Sequence, residues 1–139
     1  MTIEQKRDRL ISRLSAIQGF HDRFAHVVEQ GKARPSLDPA LKSDQHKVDG
    51  CLSNLWFVPE FRDGRCYFAV DADSLIVKAI ALLLCDLYTG CSPREILSVD
   101  PSFLAQVGIT QHLSPNRRNS LSRVWDRIRA FALENSGNV

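Results

Sequence analysis

Cysteine and histidine are the side chains most able to attack, carry or ligate, and this 139-residue chain has four of each. The cysteines stand at 51, 66, 85 and 91, with no C-x-x-C pair and no Cys/His grouping at zinc-ligand spacing, so no structural metal site is indicated. Each cysteine is then read by its local setting. The thiolate is the reactive form, and a cysteine on an apolar face is normally inert packing, whereas one on an accessible loop is a candidate nucleophile or carrier. The elements around each cysteine therefore decide which of the four can do chemistry.

Thr2 and Gln5 form a capping-box pattern, and Ile3, Leu10, Ile11, Leu14 and Ile17 share a helical stripe that ends before Gly19. Phe20, Phe24, Val27 and Val28 make a second stripe ending at Gly31. Ser74 caps the segment Leu75 to Leu87, which is apolar nearly all round and predicts a buried central helix. Ser92-Pro93-Arg94-Glu95 and Asp100-Pro101 predict two short helices by a cap-then-proline device. Ser114-Pro115 opens the last helix, which its stripe of Leu121, Val124, Trp125, Ile128, Phe131 and Ala132 carries to about Leu133. Between Leu52 and Ala72 the period changes, and Asp63-Gly64 is a two-residue hairpin turn. Pairing Arg62 with Arg65 sets Phe61 opposite Cys66, Pro59 opposite Phe68 and Phe57 opposite Val70, which collects apolar residues on one face and leaves Trp56, Val58, Tyr67 and Ala69 on the other. Pro59 suits an edge position or a bulge. A third short strand is expected near His46 to Val48. The fold class is thus α+β, a short antiparallel sheet of hairpin plus third strand covered by helices, with residues 1–139 forming one domain.

Cys66 then lies on the apolar face of the hairpin, Cys85 beside Leu82 and Leu84 on the buried helix, and Cys91 in the turn before Ser92, all packing or neutral positions. Cys51 differs. It ends a polar stretch from Lys32 to Gly50 that has two prolines and no regular period, a loop length that in compact domains goes with function or mobility. Gly50 beside it permits a backbone conformation or a close approach that a side chain would block.

Composition narrows the partners. With 18 Lys and Arg against 16 Asp and Glu, the net charge of +2 carries no general footprint for nucleic acid or an anionic membrane. The longest apolar run, Ala79 to Cys85, has seven residues, far short of the ~20 that span a bilayer. Glu4, Lys6, Arg7, Asp8 and Arg9 occupy the place of a signal peptide's apolar segment, so a cytoplasmic location with free thiols is expected. Charge is concentrated at one place: from Pro115 to Ala130, Arg117, Arg118, Arg123, Arg127 and Arg129 stand against Asp126 alone, and most of them are expected to reach solvent where the apolar stripe does not, as a solvated face or a docking surface.

The residues Val48-Asp49-Gly50-Cys51-Leu52-Ser53-Asn54-Leu55-Trp56 resemble the G-C-x-S-x-V-W signature of the SufE family, sulfur acceptors of iron–sulfur cluster biogenesis. Asp71-Ala72-Asp73-Ser74-Leu75-Ile76-Val77-Lys78 is similar to that family's D-S-D-x-x-I-V-K/R segment, and Ile109 to Arg117 to its L-x-x-H-L-S/T-P-x-R segment, in the same order and spacing. Leu52, Leu55, Ala79 and Ser120 depart from the usual residues; Leu52, Ala79 and Ser120 are expected to bear on the choice of partner more than on the chemistry. The resemblance implies a fold shared with IscU-like scaffold proteins and a reaction of transpersulfuration. Cys51 accepts persulfide sulfur from a PLP-dependent cysteine desulfurase of the SufS or CsdA kind, stimulates that enzyme, and passes the sulfur to an Fe–S scaffold or another acceptor. It implies a carrier rather than a stand-alone enzyme, one that binds no cofactor of its own; no Gly-rich phosphate loop followed by lysine is present. Gly50 and Ser53 belong to the signature around the thiol. His112 and Arg117, at the start of the last helix, would favour an anion such as a thiolate or persulfide, though Arg117 could equally cap or pair locally. Asp73 either supports the site or simply begins a helix, and His46 either acts as a base or is solvated.

Two other classes compete. A metal-binding cluster scaffold needs several thiolate or carboxylate ligands converging on Cys51, and the other cysteines are assigned elsewhere. A cysteine hydrolase needs a histidine held against the thiol, which His46 or His112 could supply, and an oxyanion hole, which no residue identifies.

Overall fold

The Asp63-Gly64 turn has positive φ at both positions, 52° and 78°, the backbone that matches the twist of two paired strands. It joins β1 (Leu55–Arg62) to β2 (Arg65–Ala72) in a computed structural model that describes residues 1–137. The strands pair antiparallel in the register that the turn dictates, Phe61 with Cys66, Pro59 with Phe68 and Phe57 with Val70. Phe57, Cys66, Phe68 and Val70 are buried, and Phe57 stacks on Phe68 with ring centres 5.5 Å apart. Trp56, Val58, Tyr67 and Ala69 on the opposite face are only half-buried.

Helix α1 (Ile3–Ser15) begins at the Thr2 capping box, and α2 (Phe20–Lys32) follows Gly19 at φ 83°. The central α3 (Leu75–Tyr88), capped by Ser74, carries ten buried residues and packs against β2, α2 and the last helix. Helix α4 (Pro93–Ser98) has a second capping box from Ser92 and Glu95, α5 (Phe103–Gln106) is a single turn, and α6 (Pro115–Ser136) runs three residues past the predicted end because nothing breaks the helix before Gly137. The architecture is α+β, as expected, with one difference. The third strand reduces to a single bridge between Lys47 and Trp56, with the Val48 N–H donating to the Leu55 carbonyl at 2.8 Å. A strand cannot extend there, because Asp44–His46 is wound into a 3-10 turn on one side and the chain reverses at Gly50, φ 86°, on the other.

Helices α2 and α3 touch backbone to backbone. A Cβ added to Gly31 would lie 2.5 Å from the Cβ of Ala79, which is buried. Ala79 is therefore a packing position, not a partner-facing one, and Ser120 is likewise buried, its hydroxyl donating to the Asn116 carbonyl one turn earlier. The expectation that these two departures bear on partner choice is corrected by their burial. Leu52, 84% exposed, is the one of the three that faces outward.

The polar stretch after α2 is tied down by Asp71, 2% exposed at the end of β2. Its carboxylate accepts from the Leu37 and Ala72 N–H groups at 3.0 and 2.9 Å and pairs with the Lys42 ammonium at 3.2 Å. Lys78 of α3 lies 3.8 Å from the same carboxylate and donates to the Arg34 carbonyl at 2.9 Å. Two charged residues of the D-S-D-x-x-I-V-K segment thus fasten the loop that leads to Cys51.

Candidate functional site

Cys51 sits between the Asp49-Gly50 turn and β1, half-buried and packed against the core, while Cys66, Cys85 and Cys91 are buried outright. Cys66 and Cys91 face each other in an isolated antiparallel bridge at the turn end of the hairpin, so Cys91 is interior rather than part of a neutral surface turn. Burial, reinforced by Cys91, pushes the Cys66 thiol up to about 11; burial also raises Cys85 and Cys91. These three are poor sources of thiolate. Cys51 alone of the four reaches solvent.

The loop bearing it is held from two sides. Towards β2, the Asn54 side chain donates to the Asp73 carboxylate at 2.7 Å and the Asp73 N–H donates to the Asn54 carbonyl at 3.0 Å. Asp73 thus closes the loop's downstream end, and the helix is capped by Ser74 instead. Towards α6, three residues spaced four apart grip the upstream end. Asn119 donates to the Gly50 carbonyl at 2.8 Å, Arg127 donates to the Lys47 carbonyl at 3.2 Å, and Arg123 packs on Gly50 between them. At i, i+4 and i+8 these side chains share one face of the helix, offset from its apolar stripe.

The remaining expected site residues make no hydrogen bond or ion pair with Cys51 among the described residues. Ser53 is half-buried within the loop. Arg117 is half-buried in the first turn of α6, where its N–H is capped by the Ser114 hydroxyl. The His112 ring lies 6.1 Å from both Phe20 and Phe24, packed towards α2. His46 directs Nδ1 to the Leu41 carbonyl and the Ser43 hydroxyl at 3.1 and 3.3 Å, engaged in its own turn. Both histidines are thus turned to partners other than the thiol. Asn54, Asn119, Arg123 and Arg127 were not singled out as site residues by sequence, although the four-residue spacing of the last three is visible there as a second, polar stripe.

The site is thus a half-buried loop thiol, braced by a helix face and a strand end and flanked by an exposed leucine. Among the described residues no group of three or more His, Cys, Asp or Glu converges as a metal set, and no described helix is long and apolar enough to cross a membrane. The chain matches the SufE family, described as an Fe-S metabolism associated domain, over residues 8–132, and it belongs to that family. Its fold is similar to that of a hypothetical protein from Thermus thermophilus, whose solution structure aligns with a TM-score of 0.73 at 20% identity, covering 93% of this chain and 94% of that one.

Proposed function

We propose that this protein is a sulfur carrier in which Cys51 takes persulfide sulfur from a cysteine desulfurase and delivers it to an acceptor in iron–sulfur cluster assembly. The observation that carries the reading is the contrast among the four thiols: three are buried, and the one in the family signature lies in a braced, solvent-reaching loop. In the reaction the Cys51 thiolate attacks the outer sulfur of the desulfurase persulfide. A new S–S bond forms on Cys51, the S–S bond on the enzyme breaks, and the enzyme cysteine leaves as thiolate, taking up the equivalent of the proton that Cys51 gave up. No oxidant or reductant is consumed. The PLP that generates the persulfide belongs to the desulfurase, and this chain supplies the thiol, its placement and a docking surface.

Leu52 supports the docking half of the reading, since an 84% exposed leucine next to a reactive thiol is the type of residue that a partner covers. The scaffold alternative needs ligands around Cys51, and the other cysteines are buried at the turn end of the hairpin, in α3 and in the bridge that follows α3. The hydrolase alternative needs a histidine at the thiol, and both candidates are turned to other partners. The test is sulfide release by a desulfurase supplied with cysteine and reductant. Wild-type protein stimulates turnover and Cys51→Ser does not, while its thermal unfolding is unchanged within ~1 kcal/mol. Equal stimulation by Cys51→Ser would remove the thiol from the reaction.

A further inference from the structure

Arg123 is exposed and free to extend into water, yet it folds back onto the loop. A Cβ at Gly50 would stand 3.0 Å from its Cζ, Nε and Nη2 atoms alike, so the guanidinium meets this backbone with its flat face. A side chain at position 50 would displace it, and φ 86° there independently disfavours one. The ion pairs of the described residues do not include Arg123, and its N–H edges are not spent on a hydrogen bond there. The neighbouring grips by Asn119 and Arg127 each satisfy a backbone carbonyl. Arg127 also lacks an ion pair but spends an N–H on the Lys47 carbonyl, whereas Arg123 has neither and lays its charge on the backbone of the residue before Cys51, with the exposed Asp49 next along the chain.

We infer that Arg123 is a positioning residue for Cys51: its guanidinium, admitted by the missing side chain of Gly50, pins the loop and sets a permanent positive charge beside the residue whose sulfur becomes anionic. The inference rests on reading Cys51 as the sulfur acceptor. An arginine suits the task because it stays charged at every working pH and its planar face stacks on flat groups. The guanidinium is a unit positive charge on the loop that receives the anionic sulfur, and it keeps that loop against α6 until a partner displaces it. Gly50 and Arg123 then act as one unit, although 73 positions separate them in the sequence.

The test reads charge at the thiol directly and needs no partner. Cys51 in the full-length free protein is alkylated at low ionic strength with iodoacetate, an anion, or iodoacetamide, which is neutral, and the modified peptide is quantified by mass spectrometry. The ratio of the two rates reports local potential and is insensitive to simple loosening of the loop. Arg123→Gln is expected to lower that ratio about threefold, the scale of one nearby unit charge in water. Arg123→Lys retains most of it, Arg118→Gln on the same helix leaves it unchanged, and added salt erases the wild-type advantage. Gly50→Ala lowers the ratio in the wild-type background and has no further effect in Arg123→Gln, because the two changes break the same contact. A ratio unchanged by Arg123→Gln, or lowered equally by Gly50→Ala in both backgrounds, would overturn the inference. Sulfur loading by a desulfurase is measured separately on the same variants: failure of loading with an intact charge effect refutes the carrier reading, and normal loading with no charge effect refutes the role of Arg123.

Discussion

Reactivity among the four cysteines is decided by burial, side chain by side chain. Cys51 keeps a path to solvent, whereas burial raises the other three thiols, Cys66 to about 11. At pH 8, a native thiol titration with a disulfide reagent is therefore expected to count one rapidly reacting thiol and to recover the other three only on unfolding. Replacing Cys66, Cys85 or Cys91 singly by Ala leaves sulfur acceptance intact and costs about 1–2 kcal/mol for the buried packing lost. If any of them proves as necessary as Cys51, a relay among thiols would replace the single-carrier reading. That Cys51 is the cysteine left unburied is legible in the sequence, because a polar, aperiodic loop ends at Gly50-Cys51. The roles of its neighbours were less so. Leu52 and Leu55 flank the thiol in sequence, but only Leu55 is buried, since strand alternation from Leu55 onward turns Leu55 and Phe57 inward while Leu52 precedes the strand. His46 is engaged within its own turn by Leu41 and Ser43, whereas the His112 contacts with Phe20 and Phe24 join segments some ninety residues apart and are set by tertiary packing that no local pattern encodes.

Elements were read with an accuracy that tracks how local their determinants are. The hairpin register followed from one turn, because Asp63-Gly64 fixes which residues face each other and a one-residue slip would expose Phe57, Phe68 and Val70. The capping boxes of α1 and α4 likewise sit within four residues of the ends they define. Contacts between elements were not legible in this way. Gly31 reads as a helix stop, whereas it lies within α2 as the point of closest approach to Ala79 of α3. Gly31→Ala should accordingly destabilise the protein by about 1–3 kcal/mol through overpacking, despite the better helix propensity of alanine. Ala79→Gly in the same molecule should restore part of the loss, as chemical denaturation of the single and double variants will show. Additive effects would mean that the helices are not in the contact described. The polar face of α6 is the same lesson at the site: Arg123 and Arg127 were counted as part of a solvated or docking surface, but both turn onto the Cys51 loop beside Asn119, which leaves Arg118 and Arg129 as the exposed arginines not engaged there.

The molecule as a whole is organised so that its core holds a long polar loop in place. Asp71 is the fastening point. Burial opposes its charge but is outweighed by the Leu37 and Ala72 N–H groups and the Lys42 ammonium, so its carboxyl is held below the ordinary carboxylate range. A depressed native pKa means that the unfolded chain binds the proton more readily; the stabilisation is fully present above the unfolded value of ~3.9 and is lost as pH falls through the lower native one. Asp71→Asn should therefore cost about 3 kcal/mol at neutral pH, leaving Lys42 and Lys78 without their partner, and should flatten the acid limb of the stability curve measured by denaturant titration. An acid limb identical to wild type would show that Asp71 does not carry this linkage. With the loop fastened by Asp71 at its start, by Asp73 at its end and by α6 across its turn, Cys51 is presented as one thiol at a defined place, and everything proposed for the protein depends on that thiol taking sulfur. Intact mass after incubation with a cysteine desulfurase and cysteine measures this most directly. The account predicts a gain of one sulfur atom that reductant removes and that Cys51→Ser abolishes. A wild-type mass that does not change, or a gain that persists in Cys51→Ser, would contradict it.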